Sequence, residues 1–264
     1  MGRRGVTLSA FDFMNAFHRC GIGCGDLLML HSDAGALVQL PPMPLEGRCA
    51  LFLDSLDAVL GPEGTLVMPT FTYSFTKGEP YSISETPSTV GLLTEYFRRI
   101  PGVLRSGSPI FSVAARGRLA PEFANSAVGD CFGKGSAFDL LARHNGWLAC
   151  LGCSLNRVTF VHYVEQAKGV GYRYFKDFDG TIVTGGAETR TRVRYFVRDL
   201  ERNSEIDLSG LRRRLAASDC LKTATLGRVE LLAVRTGDFQ DHALRILAEN
   251  PVGLIGEQWR GKTA

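Results

Sequence analysis

The chain has 264 residues, 45% hydrophobic and 22% charged, with a formal net charge of +3 at neutral pH. That apolar content can bury a full core in one domain spanning 1–264, with 172–264 marked as a candidate C-terminal sub-lobe. The longest apolar runs are strand-sized, so no membrane segment is expected, and no Lys/Arg block is long enough to mark a nucleic-acid surface. Seven cysteines, an odd number in apolar contexts, fit a reducing compartment better than a disulfide framework. The basic start, Met1-Gly-Arg-Arg-Gly5, leads into an amphipathic segment in place of an apolar signal core, and the expected location is the cytoplasm.

In chain order, Ser9 is placed to cap a helix over 10–20, with Asp12 at the capping-box position and Gly21 as a stop. Residues 26–32 read as a buried strand ending at a polar turn. The run Pro41-Pro-Met-Pro44 then precedes a helix over about 47–60, closed by Gly61-Pro-Glu-Gly64. Residues 65–69 are the next short strand, so the opening is a strand, helix, strand unit of the kind that builds parallel sheets. The stretch 70–87 is loop-rich, 89–99 is helical, and Ser136 caps a helix through Arg143. A strand over 147–151 follows. Beyond Tyr172, segments 172–183, 190–197 and 229–234 predict antiparallel strands, and a helix over about 238–249 closes the chain. The expected fold class is α/β, a three-layer sandwich around a mixed sheet, with its C-terminal part richer in antiparallel strands.

Several motifs suggest chemistry. Gly133-Lys-Gly-Ser136 lacks the spacer of a phosphate loop and is better read as a glycine turn feeding the Ser136 cap. Cys150-Leu-Gly-Cys153 has metal or redox spacing, with Cys20 and Cys24 as a conceivable second pair. No His pair stands nearby, and both pairs read as structural. Cys153, at a strand end, is also a candidate thiol nucleophile. His31-Ser32-Asp33 holds three triad residue types, but neighbours in a chain cannot form a triad. Their place at a strand's carboxyl end is what suggests a ligand. The sharpest feature is Thr159-Phe-Val-His162-Tyr-Val-Glu165. In a helix, residues three apart share a face, so Glu165 can hold one imidazole nitrogen and leave the other free to take a proton. An ordinary helical His/Glu pair is the competing reading of those two residues alone.

Taken together, several stretches resemble the aminoglycoside 3-N-acetyltransferase family, from Leu28 to about Gly180. They are Leu30-His-Ser32, Gly61-Pro-Glu-Gly-Thr-Leu-Val-Met-Pro-Thr-Phe-Thr72, Gly91-Leu-Leu93, Pro101-Gly-Val-Leu-Arg-Ser106, Pro109 with Ser112-Val-Ala114, Gly135-Ser136, and Leu151-Gly152 through His162 to Glu165. The resemblance implies an acetyl- or other acyl-coenzyme A donor, direct transfer to the amine of an amino sugar in a ternary complex, and His162 with Glu165 as the catalytic pair. By the same similarity, His31, Ser32, Thr70, Phe71 and Thr72 should line the donor's pantetheine arm, with Arg105 and Ser112 as further donor-binding candidates. No metal is implied. The partners are small molecules, with a homodimer as a candidate assembly.

Two positions depart from the family pattern: Ser108 stands where a His is usual before the proline, and Asp33 replaces a small residue after His-Ser. Both are candidates for contacting the acceptor. The stretches around Ser108, Leu151 and Tyr172 look more like the branch acylating nucleotide-linked amino sugars. A mildly basic chain also suits an anionic nucleotide better than a polycationic aminoglycoside. The expected acceptor is therefore a nucleotide-linked amino sugar, with an aminoglycoside as alternative. A non-catalytic protein binding coenzyme A or sugar on the same fold is a further alternative.

Overall fold

The first helix, α1 (Ala10–Arg19), begins at a reciprocal cap. Ser9 Oγ accepts from the Asp12 backbone N–H, and the Asp12 carboxylate accepts from the Ser9 backbone N–H at 2.7 Å. Its buried face, Phe13, Ala16 and Phe17, packs on α2 (Leu45–Leu60), where Phe13 meets Phe52 edge-on at 5.0 Å. The computed structural model describes residues 7–201 and 204–256; the basic Met1–Gly5 start lies outside them.

The remaining helices are α3 (Leu92–Phe97), α4 (Ala120–Ala124), α5 (Ala137–Arg143), α6 (Phe160–Lys168), α7 (Ser209–Ala217) and α8 (Thr236–Glu249). The strands are β1 (Leu27–Ser32), β2 (Thr65–Pro69), β3 (Tyr81–Ser82), β4 (Leu104–Arg105), β5 (Val113–Gly117), β6 (Trp147–Leu151), β7 (Arg173–Thr184), β8 (Ala187–Arg198), β9 (Lys222–Leu226) and β10 (Val229–Arg235). The main sheet has the order β4-β5-β2-β1-β6-β10-β9. Its centre, β2-β1-β6, is parallel, while β5 and β10 run antiparallel on either side.

The central strands are buried on both faces, and alternate side chains feed two separate cores. Leu28, Leu30, Leu66, Met68, Ala149 and Leu151 join the residues of α1 and α2. Leu27, Met29, Val67, Leu148 and Cys150 join those of α5, α6 and α8 on the opposite face. This is the expected three-layer arrangement. Each fully buried large aliphatic side chain contributes roughly 1.5–3 kcal/mol, so both cores are needed to hold the sheet.

The prediction differs from the structure in one respect that matters for the site. Of residues 172–264, β9 and β10 extend the main sheet, whereas β7 and β8 form a long hairpin in a second sheet, ordered β3-β7-β8. Gly185 and Gly186, both at positive φ (57° and 86°), make the two-residue turn that matches strand twist. The hairpin lies against the α5–α6 side through Ile182, Val193 and Phe196, and its first residue, Arg173, is buried. Strands β3, β4, β5 and β9 and helices α4 and α7 were not expected from the sequence.

Candidate active site

The parallel register places three strand ends together. His31 sits beside Cys150 and Ser32 beside Leu151, so the turn after β1 meets the turn after β6 at the carboxyl edge of the sheet, with the end of β2 alongside. A cleft of about 620 Å³ opens there, lined by His31, Ser32, Asp33, Phe71, Tyr73 and Cys153, with the N-terminal end of α3 as the opposite wall. Asp33 Oδ1 accepts from the Gly35 N–H at 2.8 Å, which fixes the turn. His31 is 5% exposed, and neither ring nitrogen makes a well-formed hydrogen bond among the described residues, the Ala149 backbone being only a weak partner. Burial pushes its pKa down to about 4, so the ring is neutral at physiological pH.

Gly152, at φ 71°, ends β6, and a short turn leads into α6, whose first turn carries His162. His162 Nδ1 is 2.7 Å from Glu165 Oε2. A carboxylate can only accept, so Nδ1 carries the proton and Nε2 presents a lone pair. No hydrogen bond engages Nε2 among the described residues, and the side chain keeps 18% of its surface open beside Phe132, whose ring meets it edge-on at 5.6 Å. Burial, then the Arg173 charge, hold the His162 pKa below its usual value, against the pull of Glu165. The imidazole is thus a neutral base at neutral pH.

Glu165 is wholly buried. Its Oε2 pairs with Arg173 Nε at 2.6 Å, so the hairpin supplies the cation that offsets a carboxylate placed in the core. Tyr172 packs close by, and burial together with the Glu165 charge keep its hydroxyl protonated. Arg173 was missed by sequence reasoning. It lies in a predicted strand also noted for its likeness to relatives, and no spacing rule joins a residue at the start of a strand to a glutamate in the preceding helix.

Thr70, Arg105 and Ser112 are not on the cleft wall. Arg105 donates to the carbonyls of Thr70, Ile83 and Thr86 and to Thr70 Oγ1, at 2.6–3.2 Å, while Ser112 Oγ donates to the Thr70 carbonyl at 2.6 Å. All three are buried with their polar atoms committed to the protein itself. Thr72 Oγ1 likewise donates to the Pro109 carbonyl at 2.7 Å. Together they brace the loop that carries Phe71. Ser108 Oγ accepts from the Phe111 N–H at 3.2 Å and shapes the neighbouring turn. Among the described residues no cluster of three or more His, Cys, Asp or Glu side chains could hold a metal ion, and no helix is long and apolar enough to cross a membrane.

Fold and site define a mixed-sheet α/β protein with a cleft at the sheet's carboxyl edge and a neutral imidazole backed by a buried carboxylate. The family model for aminoglycoside 3-N-acetyltransferase matches residues 29–248, and the chain belongs to that family. Aminoglycoside N(3)-acetyltransferase III of Acinetobacter baumannii is 30% identical over 178 residues, 59% of this chain and 59% of that protein. Aminoglycoside N(3)-acetyltransferase VII of Streptomyces paromomycinus is 26% identical over 189 residues, 63% of each. The alignments therefore span less than two thirds of these relatives' length. Among solved structures, the aminoglycoside acetyltransferase AAC(3)-IVa apoenzyme superposes with a TM-score of 0.79 at 23% identity, covering 98% of this chain and 96% of its own. AAC-IIIb in binary complex with CoASH gives 0.78 at 19% identity, covering 95% and 98%. Both share the fold.

Proposed function

We propose that this chain transfers an acetyl group from acetyl-coenzyme A directly to an amine of an aminoglycoside, with His162 as general base. The observation that carries this is the His162–Glu165 contact of 2.7 Å, which leaves Nε2 as a lone pair on an imidazole kept neutral by its surroundings. An amine at neutral pH is an ammonium ion and must shed a proton before it can attack a thioester. His162 Nε2 takes that proton, Glu165 stabilises the imidazolium that forms, and Arg173 holds Glu165 in place. The nitrogen bonds to the carbonyl carbon and the carbon–sulfur bond breaks; the nitrogen gives up its second proton, and the departing coenzyme A thiolate takes it up. A positioned histidine contributes about 10²–10⁴-fold to such a step, and alignment of amine and thioester supplies up to roughly 7–11 kcal/mol more.

The cleft suits the donor's pantetheine arm. It is roomy at about 620 Å³, apolar at Phe71 and Tyr73, and holds in His31 a buried ring without a well-formed hydrogen bond, which an amide of the arm would supply. Ser32 offers a hydroxyl on the same wall. Asp33 is the acidic group of this edge and is a candidate for the acceptor's ammonium groups, with Ser108 on a turn nearby in sequence to Phe111.

The aminoglycoside is preferred over the nucleotide-linked amino sugar favoured by composition because the relatives are named as aminoglycoside acetyltransferases. The net charge of +3 is the observation that favours the nucleotide-linked sugar as a second reading. Release of free thiol from acetyl-coenzyme A, measured with gentamicin-type aminoglycosides and with nucleotide-linked amino sugars, separates the two. Turnover on aminoglycosides is expected. Turnover on nucleotide sugars alone transfers the assignment to the second reading, and silence on both removes it.

A further inference from the structure

The turn after β6 brings a second reactive group into the cleft. Gly152, at φ 71°, lies against Val229, where an added Cβ would come within 3.4 Å, and its left-handed turn delivers Cys153 to the cleft wall. Cys153 is half-buried. Behind it, on the strand face that also carries His31, lies the buried Cys150. The neighbouring Cys150 thiol lowers the Cys153 pKa, with help from the Arg157 charge and against burial and Asp33. Cys150 itself is raised well above the usual thiol range by that contact and by burial, and stays protonated, its S–H directed to the Ser154 carbonyl at 3.6 Å. Two further observations point to a ligand at this place: the cleft itself, and the His31 ring, nine-tenths buried and without a well-formed hydrogen bond among the described residues.

We propose that Cys153 is a site of covalent S-thiolation by coenzyme A disulfide, recognised through the same cleft. This rests on the reading that the cleft holds the pantetheine arm. The Cys153 thiolate, its proton given to solvent, attacks one sulfur of the disulfide. A Cys153–coenzyme A disulfide bond forms, the original sulfur–sulfur bond breaks, and one coenzyme A thiolate leaves and is protonated. Cys153 is oxidised, one half of the disulfide is reduced, and no other oxidant is needed. The attached pantetheine occupies the donor's place, so the adduct blocks acetyl transfer until a thiol reductant removes it.

The test treats fully reduced protein with coenzyme A disulfide or glutathione disulfide and follows intact mass and peptide maps. Binding in the cleft raises the local disulfide concentration, so a single adduct on Cys153 is expected, about tenfold or more faster with coenzyme A disulfide, slowed by acetyl-coenzyme A and absent from Cys153→Ser. The more exposed Cys24 is an internal control for unguided reaction. Equal rates with both disulfides, an adduct on Cys24 with Cys153 untouched, or loss of two hydrogens without any adduct would each overturn the proposal. Calorimetric titration with reduced coenzyme A distinguishes the two levels: binding without an adduct removes the thiolation alone, and no binding removes the reading of the cleft.

Discussion

Arg173 Nε lies 2.6 Å from the Glu165 oxygen that holds the His162 ring, and both partners of this ion pair are sealed from solvent. One carboxylate oxygen therefore links the β7–β8 hairpin to the candidate base. Replacing Arg173 by Met leaves a buried carboxylate without its cation, which costs about 3–5 kcal/mol. It also removes a charge that lowers the His162 pKa. Urea denaturation should show the loss of stability, and the acid limb of the kcat/KM profile should move to higher pH. A merely structural role for Arg173 would leave that limb where it is.

Glu165→Gln keeps a polar group against Nδ1 but removes the charge that stabilises the imidazolium. It should lower kcat by less than deletion of the imidazole does, because orientation is weakened while the base remains. Steady-state kinetics of the two variants side by side checks the order. Equal losses would make Glu165 indispensable to the base.

His31 makes stability depend on pH. In the unfolded chain its pKa is near 6.5 and in the fold about 4, so between these values the unfolded chain binds a proton that the native state refuses. The contribution is fully present above about pH 6.5 and is lost as pH falls toward 4, by at most about 3 kcal/mol. His162, also lowered, acts in the same direction. The unfolding free energy of His31→Asn should fall less steeply over this range than that of the wild type, as urea titrations at stepped pH would show.

Arg105→Met tests the brace beneath the cleft. It leaves the Ile83 and Thr86 carbonyls without their Arg105 hydrogen bonds and removes two of the contacts on Thr70. A loss of roughly 2–4 kcal/mol is expected from a buried network cut in this way. An unchanged denaturation midpoint would show that Arg105 is free for another task.

Much of the frame was legible because local signals agreed with it. The Ser9–Asp12 box, the 65–69 and 147–151 strands and the His162–Glu165 spacing all follow from rules acting within a few residues. The strands of the parallel core read as continuous apolar runs because both their faces are covered. What stayed hidden depends on distant contacts. Strand β9 buries only Ala224 and Leu226 between polar residues, and α7 carries three consecutive arginines, so neither stands out before β10 and α8 pack against it. That β7 and β8 leave the main sheet is a matter of partner choice, which their alternation does not encode. Thr70, Arg105 and Ser112 carry the same donor groups whether they face a ligand or brace a loop. Only burial and the Thr70 carbonyl's partners separate those roles.

The proposed reaction turns on His162 taking the acceptor's proton. The most direct measurement is kcat of His162→Ala beside the wild type on an accepted aminoglycoside, with coenzyme A affinity and thermal unfolding measured on the same preparations. If His162 takes that proton, kcat falls about 10²–10⁴-fold with coenzyme A binding and folding retained. Turnover within a few-fold of wild type would contradict it and remove His162 from the reaction.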